Sequence, residues 1–288
     1  TLRGTGIRFG AVLDEGGGVR PGSDYGIDDK ALCTIGLCEK GYVDFELSYT
    51  AKGGHSSRPG ENFATTMIAK ALIAIQEHPM PYRVTDTIRR RFGVLAPYMA
   101  KENPELAELL KNPDENLEKL VPYLKKDPAL DAMFHTTVVP TMLSGSAQAN
   151  ILPAKVTAVV NSRVLEGDTV ESVKKHLEEI VPDEVEVRVL KGSDASPTSL
   201  YDGAMKDLLV EIGGKIYGDV IPCPEMMLGG TDARFVYDMS DRVYRFSTIY
   251  AREDHHVHAA NEFTGVEELA DSIDFYMELL TRYGETAK

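Results

Sequence analysis

Apolar and polar side chains alternate along three segments of the chain, at residues 43–49, 155–164 and 185–189. Successive side chains of a β-strand point to opposite faces of its sheet, so this alternation predicts strands with one face in the core and one in solvent. The first segment shows the pattern most clearly, because its seven residues alternate without exception. We therefore expect a sheet that is covered on one side only.

Two helices are predicted beside these strands. Apolar residues recur at three- and four-residue spacing over residues 63–75 and again over residues 169–181. Asp168, with Glu171 three residues later, predicts a capping box for the second helix. The order of strands and helices predicts an inserted two-layer α+β domain over residues 40–191. Its residues 82–140, in which prolines separate short acidic segments, are interpreted as a helical insertion.

The two ends of the chain have a different pattern, which predicts an α/β domain formed by residues 1–39 and 192–288. A short apolar run ends in Asp14-Glu15-Gly16-Gly17-Gly18, as expected of a buried strand with a carboxylate at its C-terminal end. Helices are predicted at residues 203–216 and 265–283, with a strand at residues 243–249 between them. The apolar stripe of the last helix consists of Val266, Leu269, Ile273, Tyr276 and Leu280.

Composition narrows the class of protein. A hydrophobic fraction of 43% fits a globular protein with a filled core, and the formal charge of -14 argues against a nucleic-acid partner. No apolar run approaches the ~20 residues that span a bilayer, so we expect no membrane association. Cys33, Cys38 and Cys223 have no paired spacing, so neither a disulfide framework nor a cysteine zinc site is indicated, and we expect a reducing, cytoplasmic location.

Candidate metal chemistry is concentrated at residues 254–262, which contain three of the seven histidines. Neutral imidazole is a common zinc ligand, but three neighbouring histidines are equally compatible with a solvated loop. Asp14 is the second candidate, because ligands collect at the carboxyl ends of strands in open α/β sheets. A turn-capping role explains the same aspartate.

Four loops occur in a characteristic order along the chain: Asp14-Glu15-Gly16-Gly17, Gly54-His55-Ser56-Ser57, Gly229-Gly230-Thr231-Asp232 and Val257-His258-Ala259-Ala260-Asn261-Glu262. With an Asn150-Ile151-Leu152-Pro153 loop between them, they resemble the aminoacylase/carboxypeptidase family of two-zinc metallohydrolases. That family includes carboxypeptidase S, acetylornithine deacetylase and succinyl-diaminopimelate desuccinylase. The Asp-Glu-Gly-Gly form and the long helical insertion look most like the carboxypeptidase S branch.

The resemblance implies a zinc-peptidase-like catalytic domain, built on a mixed sheet flanked by helices, with an inserted lid domain that forms a homodimer. It also implies hydrolysis of amide bonds in peptides or N-acyl amino acids. Asp14 matches the carboxylate that binds one zinc ion, and His258 matches the histidine that binds the other. His255 and His256 fall outside the matching position and are interpreted as surface residues or as residues behind the ligands.

Five further residues match positions that, in this family, have roles other than metal binding. His55 matches a lid histidine that stabilises the developing oxyanion in the active site of the dimer partner, and Asn150 matches an asparagine beside it. Arg163 and the Gly230-Thr231 loop match the groups that hold the substrate carboxylate. A guanidinium and loop amides suit a carboxylate, and an imidazole suits an oxyanion.

Each assignment also has a purely structural alternative. His55 is equally explained as a loop histidine bonded to Ser57, and Arg163 as a residue of a solvated strand face. Asn150 is equally explained as a residue that shapes the turn into the next strand.

Part of the family pattern is missing from the sequence. A two-metal site needs roughly five protein ligands and a carboxylate base, most of which the family supplies from a His-x-Asp motif, a bridging aspartate and a Glu-Glu pair. None of the seven histidines is followed two residues later by Asp, and both Glu-Glu pairs lie in predicted helices. We therefore expect these motifs upstream of Thr1, and a chain that alone binds zinc incompletely and hydrolyses nothing.

Two other functions stay open. The chain is also compatible with a non-catalytic dimerisation or binding module that has kept the lid and lost the active site. A third hypothesis is an unrelated metal site on His256 and His258, whose side chains would share a face if this loop were extended.

Overall fold

The computed structural model describes residues 2–25, 27, 30–101, 103–250 and 255–286. The strands are β1 Val12–Asp14, β2 Gly18–Pro21, β3 Ala31–Glu39, β4 Gly41–Thr50, β5 Gly54–His55, β6 Thr137–Ser144, β7 Ile151–Leu152, β8 Lys155–Val164, β9 Glu186–Ser193, β10 Val220–Met227 and β11 Val243–Arg245. The helices are α1 Ala64–Glu77, α2 Asp86–Met99, α3 Pro104–Lys111, α4 Leu117–Leu124, α5 Pro128–Phe134, α6 Val170–Ile180, α7 Ala204–Tyr217 and α8 Val266–Thr286.

Contacts divide the chain into two units. The first, which we call the sheet unit, contains Thr1–Glu39, Val84–Lys126 and Pro197–Lys288. The second, which we call the lid unit, contains Lys40–Arg83 and Asp127–Ser196.

A mixed five-stranded sheet forms the centre of the sheet unit. Its strand order is β1-β11-β3-β10, with β2 also paired to β3. β1 is parallel to β11 and β10 is parallel to β3, whereas β2 and β11 are antiparallel to β3. Every residue of β3 is buried, as expected of a strand covered on both faces. The mixed sheet with its flanking helices confirms the α/β fold predicted for the two ends of the chain.

A four-stranded antiparallel sheet forms the lid unit, in the order β6-β8-β4-β9. Helices α1 and α6 contribute apolar residues to a core that also contains Val43, Phe45 and Leu47 of β4. The burial of β4 alternates along the strand, because its other face is more exposed. This two-layer arrangement confirms the predicted α+β domain. β5 and β7 form a separate two-stranded ribbon.

The structure places part of the predicted helical insertion outside the lid unit. Residues Val84–Lys126, which include α2 to α4, group with the sheet unit. Helix α2 packs against β10, and it buries Ile88, Phe92 and Leu95. An ion pair of 3.1 Å between Arg91 and Glu225 joins the same two elements. These contacts are between residues far apart in sequence, so the spacing of prolines and acidic residues could not predict them.

Helix α6 begins with a different cap from the predicted one. Thr169 accepts a hydrogen bond from the backbone N–H of Ser172, and the Ser172 side chain accepts one from the backbone N–H of Thr169. The prediction of Asp168 as the cap and Glu171 as its partner is therefore wrong, because each residue of the observed capping box lies one position later in the chain. Asp168 is instead buried and forms an ion pair with Arg83.

Helix α8 has two apolar faces. Phe275 and Leu279 are buried in the core of the sheet unit. The stripe predicted from the sequence faces the other way: Val266 is 86% exposed, Ile273 53% and Leu280 69%. The predicted helix is confirmed, but the stripe identified from its spacing is not the buried face. Within the described residues, no helix has the length and apolar character of a membrane span.

Candidate functional site

Asp14 lies at the C-terminal end of β1, opposite Arg245 in the parallel pairing with β11. Its Oδ1 accepts a hydrogen bond from the backbone N–H of Glu15 at 2.8 Å, and its Oδ2 accepts one from the backbone N–H of Ala233. A carboxylate has about four lone-pair sites, so these two bonds orient the group and leave acceptor capacity. The side chain is suited to bind a cation, but it also has the turn-residue contacts of the structural alternative.

The loop at residues 229–232 is held against Asp14. Thr231 is the N-cap of a short 3₁₀ helix, Asp232–Phe235, and its Oγ1 accepts from the backbone N–H of Ala233 at 3.3 Å. The same N–H donates to Oδ2 of Asp14. Asp14 and Thr231 accept a hydrogen bond from the same backbone N–H, although they are 217 residues apart in the sequence. The structure therefore brings together these two residues, which were predicted to belong to one site.

Both donors of Thr231 are directed to a buried carboxylate. Its backbone N–H donates to Oε2 of Glu39 at 2.9 Å, and its hydroxyl donates to the same oxygen at 2.7 Å. Thr231 is itself buried, whereas Gly230 is exposed. In this arrangement neither donor of Thr231 is directed to a substrate carboxylate, and Gly230 is exposed together with Gly229 and Asp232.

His258 lies in a tightly turned loop. His256, His258 and Asn261 have φ values of 55°, 63° and 62°, in the left-handed region that few residues other than glycine adopt. The backbone N–H of His258 donates to Oε2 of Glu262 at 3.3 Å, and the residue is exposed. Because the loop is turned rather than extended, the premise of a metal site on His256 and His258 is not met. Asp254 lies outside the described residues.

His255 is buried, so its interpretation as a surface residue is wrong, and the alternative of a residue behind the ligands stays a prediction. Its Nε2 lies 2.8 Å from Oε2 of Glu268, and its ring centroid lies 5.3 Å from that of Phe263. Glu268 Oε2 also accepts from the backbone N–H of Gly265. His255 and Glu268 therefore connect the histidine loop to the start of α8.

Among the residues that the structure describes, no group of three or more His, Cys, Asp or Glu side chains is arranged to hold a metal ion. Asp14 and His258 each offer one candidate ligand. A two-zinc site needs roughly five protein ligands, so these two side chains do not fit such a site as they stand.

His55 and Asn150 are brought together in the lid unit. β5 and β7 pair His55 with Ile151, and the backbone N–H of Ser56 donates to the carbonyl of Asn150 at 3.0 Å. Nδ1 of His55 accepts from the backbone N–H of Ser57 at 3.1 Å, and the Ser57 hydroxyl lies 2.8 Å from the same atom. A backbone N–H can only donate, so the proton of the neutral ring is on Nε2. The exposed imidazole therefore offers an N–H donor to solvent or a ligand.

Arg163 lies at the other end of β8 from this ribbon. A strand rises about 3.3 Å per residue, so Arg163 is roughly 26 Å from Lys155, the residue at which β8 begins beside the ribbon. The guanidinium lies 4.9 Å from the ring centroid of Tyr42, its partner in the β4–β8 pairing. Lys191 approaches the same ring at 5.1 Å. The structure thus gives Arg163 a cation–π contact and does not place it beside His55 or Asn150.

Glu39 and Arg245 were not identified from the sequence. Glu39 is 3% exposed and Arg245 is fully buried, with 3.4 Å between Oε2 of Glu39 and Nε of Arg245. Charged side chains are rarely buried unless they are paired, and both residues occur in otherwise apolar segments. That signal was available in the sequence, although it could not show which carboxylate pairs with the arginine.

Residues 38–188 match the family model of the M20 peptidase dimerisation domain. Two curated relatives illustrate the similarity over the rest of the chain. A probable carboxypeptidase S-like 2 of Dictyostelium discoideum is 25% identical over 278 residues, covering 94% of this chain and 52% of that protein. The N-fatty-acyl-amino acid synthase/hydrolase PM20D1 of Homo sapiens is 26% identical over 297 residues, covering 97% and 56%. The chain spans about half the length of these relatives.

Solved structures show the same fold. The M20 family metallo-carboxypeptidase Sso-CP2 from Sulfolobus solfataricus has a TM-score of 0.61 at 19% identity, covering 94% of this chain and 63% of that chain. The di-peptidase Dug1p from Saccharomyces cerevisiae has a TM-score of 0.56 at 14% identity, covering 97% and 58%. These values confirm the predicted fold class. The family model covers 151 of the 288 residues, so the chain belongs to the M20 peptidase family.

Proposed function

We propose that this chain is the substrate-holding and dimerising part of an M20 hydrolase that cleaves amide bonds in peptides or N-acyl amino acids. The observation that carries the proposal is the Ser57–His55 hydrogen bond, which leaves an exposed N–H donor on Nε2 of His55. The names of the relatives, a carboxypeptidase and an N-fatty-acyl-amino acid synthase/hydrolase, support this substrate class.

His55 is proposed to stabilise the oxyanion. When water attacks an amide carbonyl, negative charge develops on the carbonyl oxygen, and a positioned N–H donor lowers the energy of that state. A neutral imidazole with its proton on Nε2 is ready to donate without a change of tautomer. Asn150, which lies across the β5–β7 ribbon, is proposed as a neighbouring polar group on the substrate. As in the resemblance from which it comes, the donor would act in the active site of a dimer partner.

Arg163 of the lid unit and Gly230 of the sheet unit are each proposed, separately, as a contact for a substrate carboxylate. The cation–π contact with Tyr42 needs none of the guanidinium N–H groups as hydrogen-bond donors, and those groups suit a carboxylate. Gly230 is exposed in a loop that Thr231 fixes from behind. Asp14 and His258 are proposed to supply one ligand each to a zinc site that other residues complete.

The lid unit is proposed to form a homodimer through β6. In the described sheet, β6 pairs with β8 only, and Val139, Met142 and Leu143 are 52%, 66% and 66% exposed. An edge strand with exposed apolar side chains is a template for pairing with a second chain. The family's dimerisation domain supports this assignment.

The second candidate function is a non-catalytic dimerisation module. It is favoured by the match of the family model to the dimerisation domain, and by the lack of a metal-ligand group among the described residues. Under either candidate, we propose that the 288 residues alone do not hydrolyse an amide.

The test compares two polypeptides, the 288-residue chain and the product of the complete reading frame, each with added Zn²⁺ and with dipeptides or N-acyl amino acids. We expect no release of amino acid by the 288 residues and hydrolysis by the complete product. His55→Ala in the latter should lower kcat by about 10²- to 10³-fold, whereas His78→Ala, which removes another exposed lid histidine, should not. Zinc-dependent hydrolysis by the 288 residues would refute their proposed inactivity. A complete product that dimerises without hydrolysis would favour the second candidate.

A further inference from the structure

A buried ion pair lies behind the loop at residues 229–232. Arg245 is fully buried, and its Nη1 donates to the carbonyl oxygens of Val243 at 2.9 Å and Leu37 at 3.3 Å. Its Nε lies 3.4 Å from Oε2 of Glu39, which is 3% exposed. Gly36, opposite Arg245 in the β3–β11 pairing, makes room for this side chain, because a Cβ there would lie 2.9 Å from the Cβ of Arg245.

The carboxylate of Glu39 is connected to the loop by two hydrogen bonds. Its Oε2 accepts the backbone N–H and the hydroxyl of Thr231, at 2.9 and 2.7 Å. A buried carboxylate is strongly disfavoured without such partners, and bonds to a charged acceptor are stronger than those between neutral groups. Arg245 supplies the opposite charge that pairs with Glu39 at this buried position.

The bonding continues from Thr231 to Asp14. Since the hydroxyl proton of Thr231 is donated to Glu39, its oxygen is oriented to accept the backbone N–H of Ala233. That N–H also donates to Oδ2 of Asp14. One continuous set of contacts therefore runs from Arg245 through Glu39, Thr231 and Ala233 to Asp14.

We infer that Glu39, held by Arg245, is a positioning residue that fixes the Thr231–Ala233 turn and, through it, the orientation of the Asp14 carboxylate. Any effect on hydrolysis rests on the proposed function. The positioning of the turn is a property of the folded chain, so its test needs no enzymatic reaction.

The variant that tests this inference removes both charges at once. Glu39→Met with Arg245→Met leaves no unpaired buried charge, so the sheet unit keeps an apolar interior of similar size. The matched control is Arg91→Met with Glu225→Met, because that ion pair of 3.1 Å also lies in the sheet unit, with Arg91 buried and Glu225 half-buried. That pair joins α2 to β10, whereas the hydrogen bonds of the turn given above run to Glu39 and Asp14.

The measurement is amide hydrogen exchange of the 288-residue chain, resolved by residue. In the Glu39/Arg245 variant we expect the Thr231 and Ala233 amides to exchange at least about tenfold faster, with Ile35 and Leu37 of β3 unchanged. The control variant should leave the Thr231 and Ala233 amides unchanged. Glu39→Gln keeps a carbonyl oxygen that can accept hydrogen bonds from Thr231. In this variant the Thr231 amide should therefore exchange more slowly than in the Glu39/Arg245 variant.

Two outcomes would overturn the inference. Exchange at Thr231 and Ala233 could be unchanged in the Glu39/Arg245 variant, or the control variant could show an equal increase.

If the double variant does not fold, Thr231→Val serves instead, because it removes only the hydroxyl. In this variant the amide of residue 231 should stay protected by Glu39, and the amide of Ala233 should exchange faster. No increase at Ala233 would again overturn the inference. All of these results are independent of hydrolysis, so a failure of the proposed function is distinguishable from a failure of this one.

Discussion

The backbone N–H of Ser57 donates to Nδ1 of His55 over 3.1 Å, two residues away in the chain. This bond determines which nitrogen of the neutral ring carries the proton. The exposed lid histidine is therefore a donor through Nε2, and a donor is what its proposed role in stabilising an oxyanion needs.

We expect the ¹⁵N chemical shifts of the neutral His55 ring to show a protonated Nε2 and an unprotonated Nδ1. His78 of the same unit provides the internal control, because its Nδ1 lies 2.9 Å from the carbonyl oxygen of Ala74, which can only accept. His78 should therefore show the opposite tautomer. Ser57→Ala should leave the tautomer of His55 unchanged, since the backbone N–H is kept. A protonated Nδ1 in His55 would contradict the prediction.

Lys40 is expected to make the lid unit more stable as the pH rises above neutrality. The residue is 2% exposed, and its Nζ donates to the carbonyl oxygens of Ala132 and His135, each at 2.7 Å. Burial, followed by the positive charge of Arg163, lowers the pKa of Lys40 from 10.5 to about 7. A neutral amine still has two N–H groups, so both bonds survive deprotonation.

The direction of this pH dependence follows from the number of protons that the folded and unfolded chains bind. Between pH 7 and pH 10.5 the unfolded chain holds a proton on Lys40 that the folded chain has released, so the free energy of unfolding rises with pH, by at most about 1.4 kcal/mol per pH unit. Below pH 7 both states are protonated, and the contribution no longer changes. Urea unfolding at several pH values should show a steeper rise between pH 7 and pH 9.5 for the wild type than for Lys40→Met. Lys191→Met, which removes an exposed lysine of the same unit, should have the wild-type slope. Equal slopes in the wild type and Lys40→Met would contradict the prediction.

Met142→Lys is expected to convert the proposed homodimer into a monomer. The side chain is 66% exposed on edge strand β6, and a charge placed there opposes edge-to-edge pairing. Sedimentation velocity over a range of concentrations measures the effect. Leu190→Lys on β9, the opposite edge, is the control and should leave the dimer intact. Dissociation by Leu190→Lys with no effect of Met142→Lys would place the interface on the other edge.

The two apolar faces of α8 are expected to differ in their contribution to stability. Phe275 is fully buried, and Phe275→Ala should cost about 3–5 kcal/mol because it leaves a cavity. Ile273 is 53% exposed, and Ile273→Ala should change the free energy of unfolding by roughly 0.5 kcal/mol or less. Denaturant unfolding of both variants measures these changes. A comparable loss for Ile273→Ala would mean that the outer face is covered in solution.

The sequence predicted the elements whose signal is local. The alternation at residues 43–49 became β4, and the spacing at residues 265–283 became α8, because side-chain periodicity follows directly from strand and helix geometry. The order of the four loops also predicted the M20 family, which the family model confirms. The assignment of His55, Asn150 and Asp14 to chemical roles came from that resemblance and stays a proposal.

The tertiary structure decided which partner each side chain contacts. It selected Phe275 rather than Ile273 for the core, and it paired Glu39 with an arginine 206 residues away. It also gave both donors of Thr231 to Glu39, whereas the sequence alone suggested a substrate. Local periodicity shows that a residue is apolar or charged, but a contact between distant segments depends on how the sheets and helices pack. For that reason the sequence determined the elements and the family, and only the folded chain determined the contacts of its polar groups.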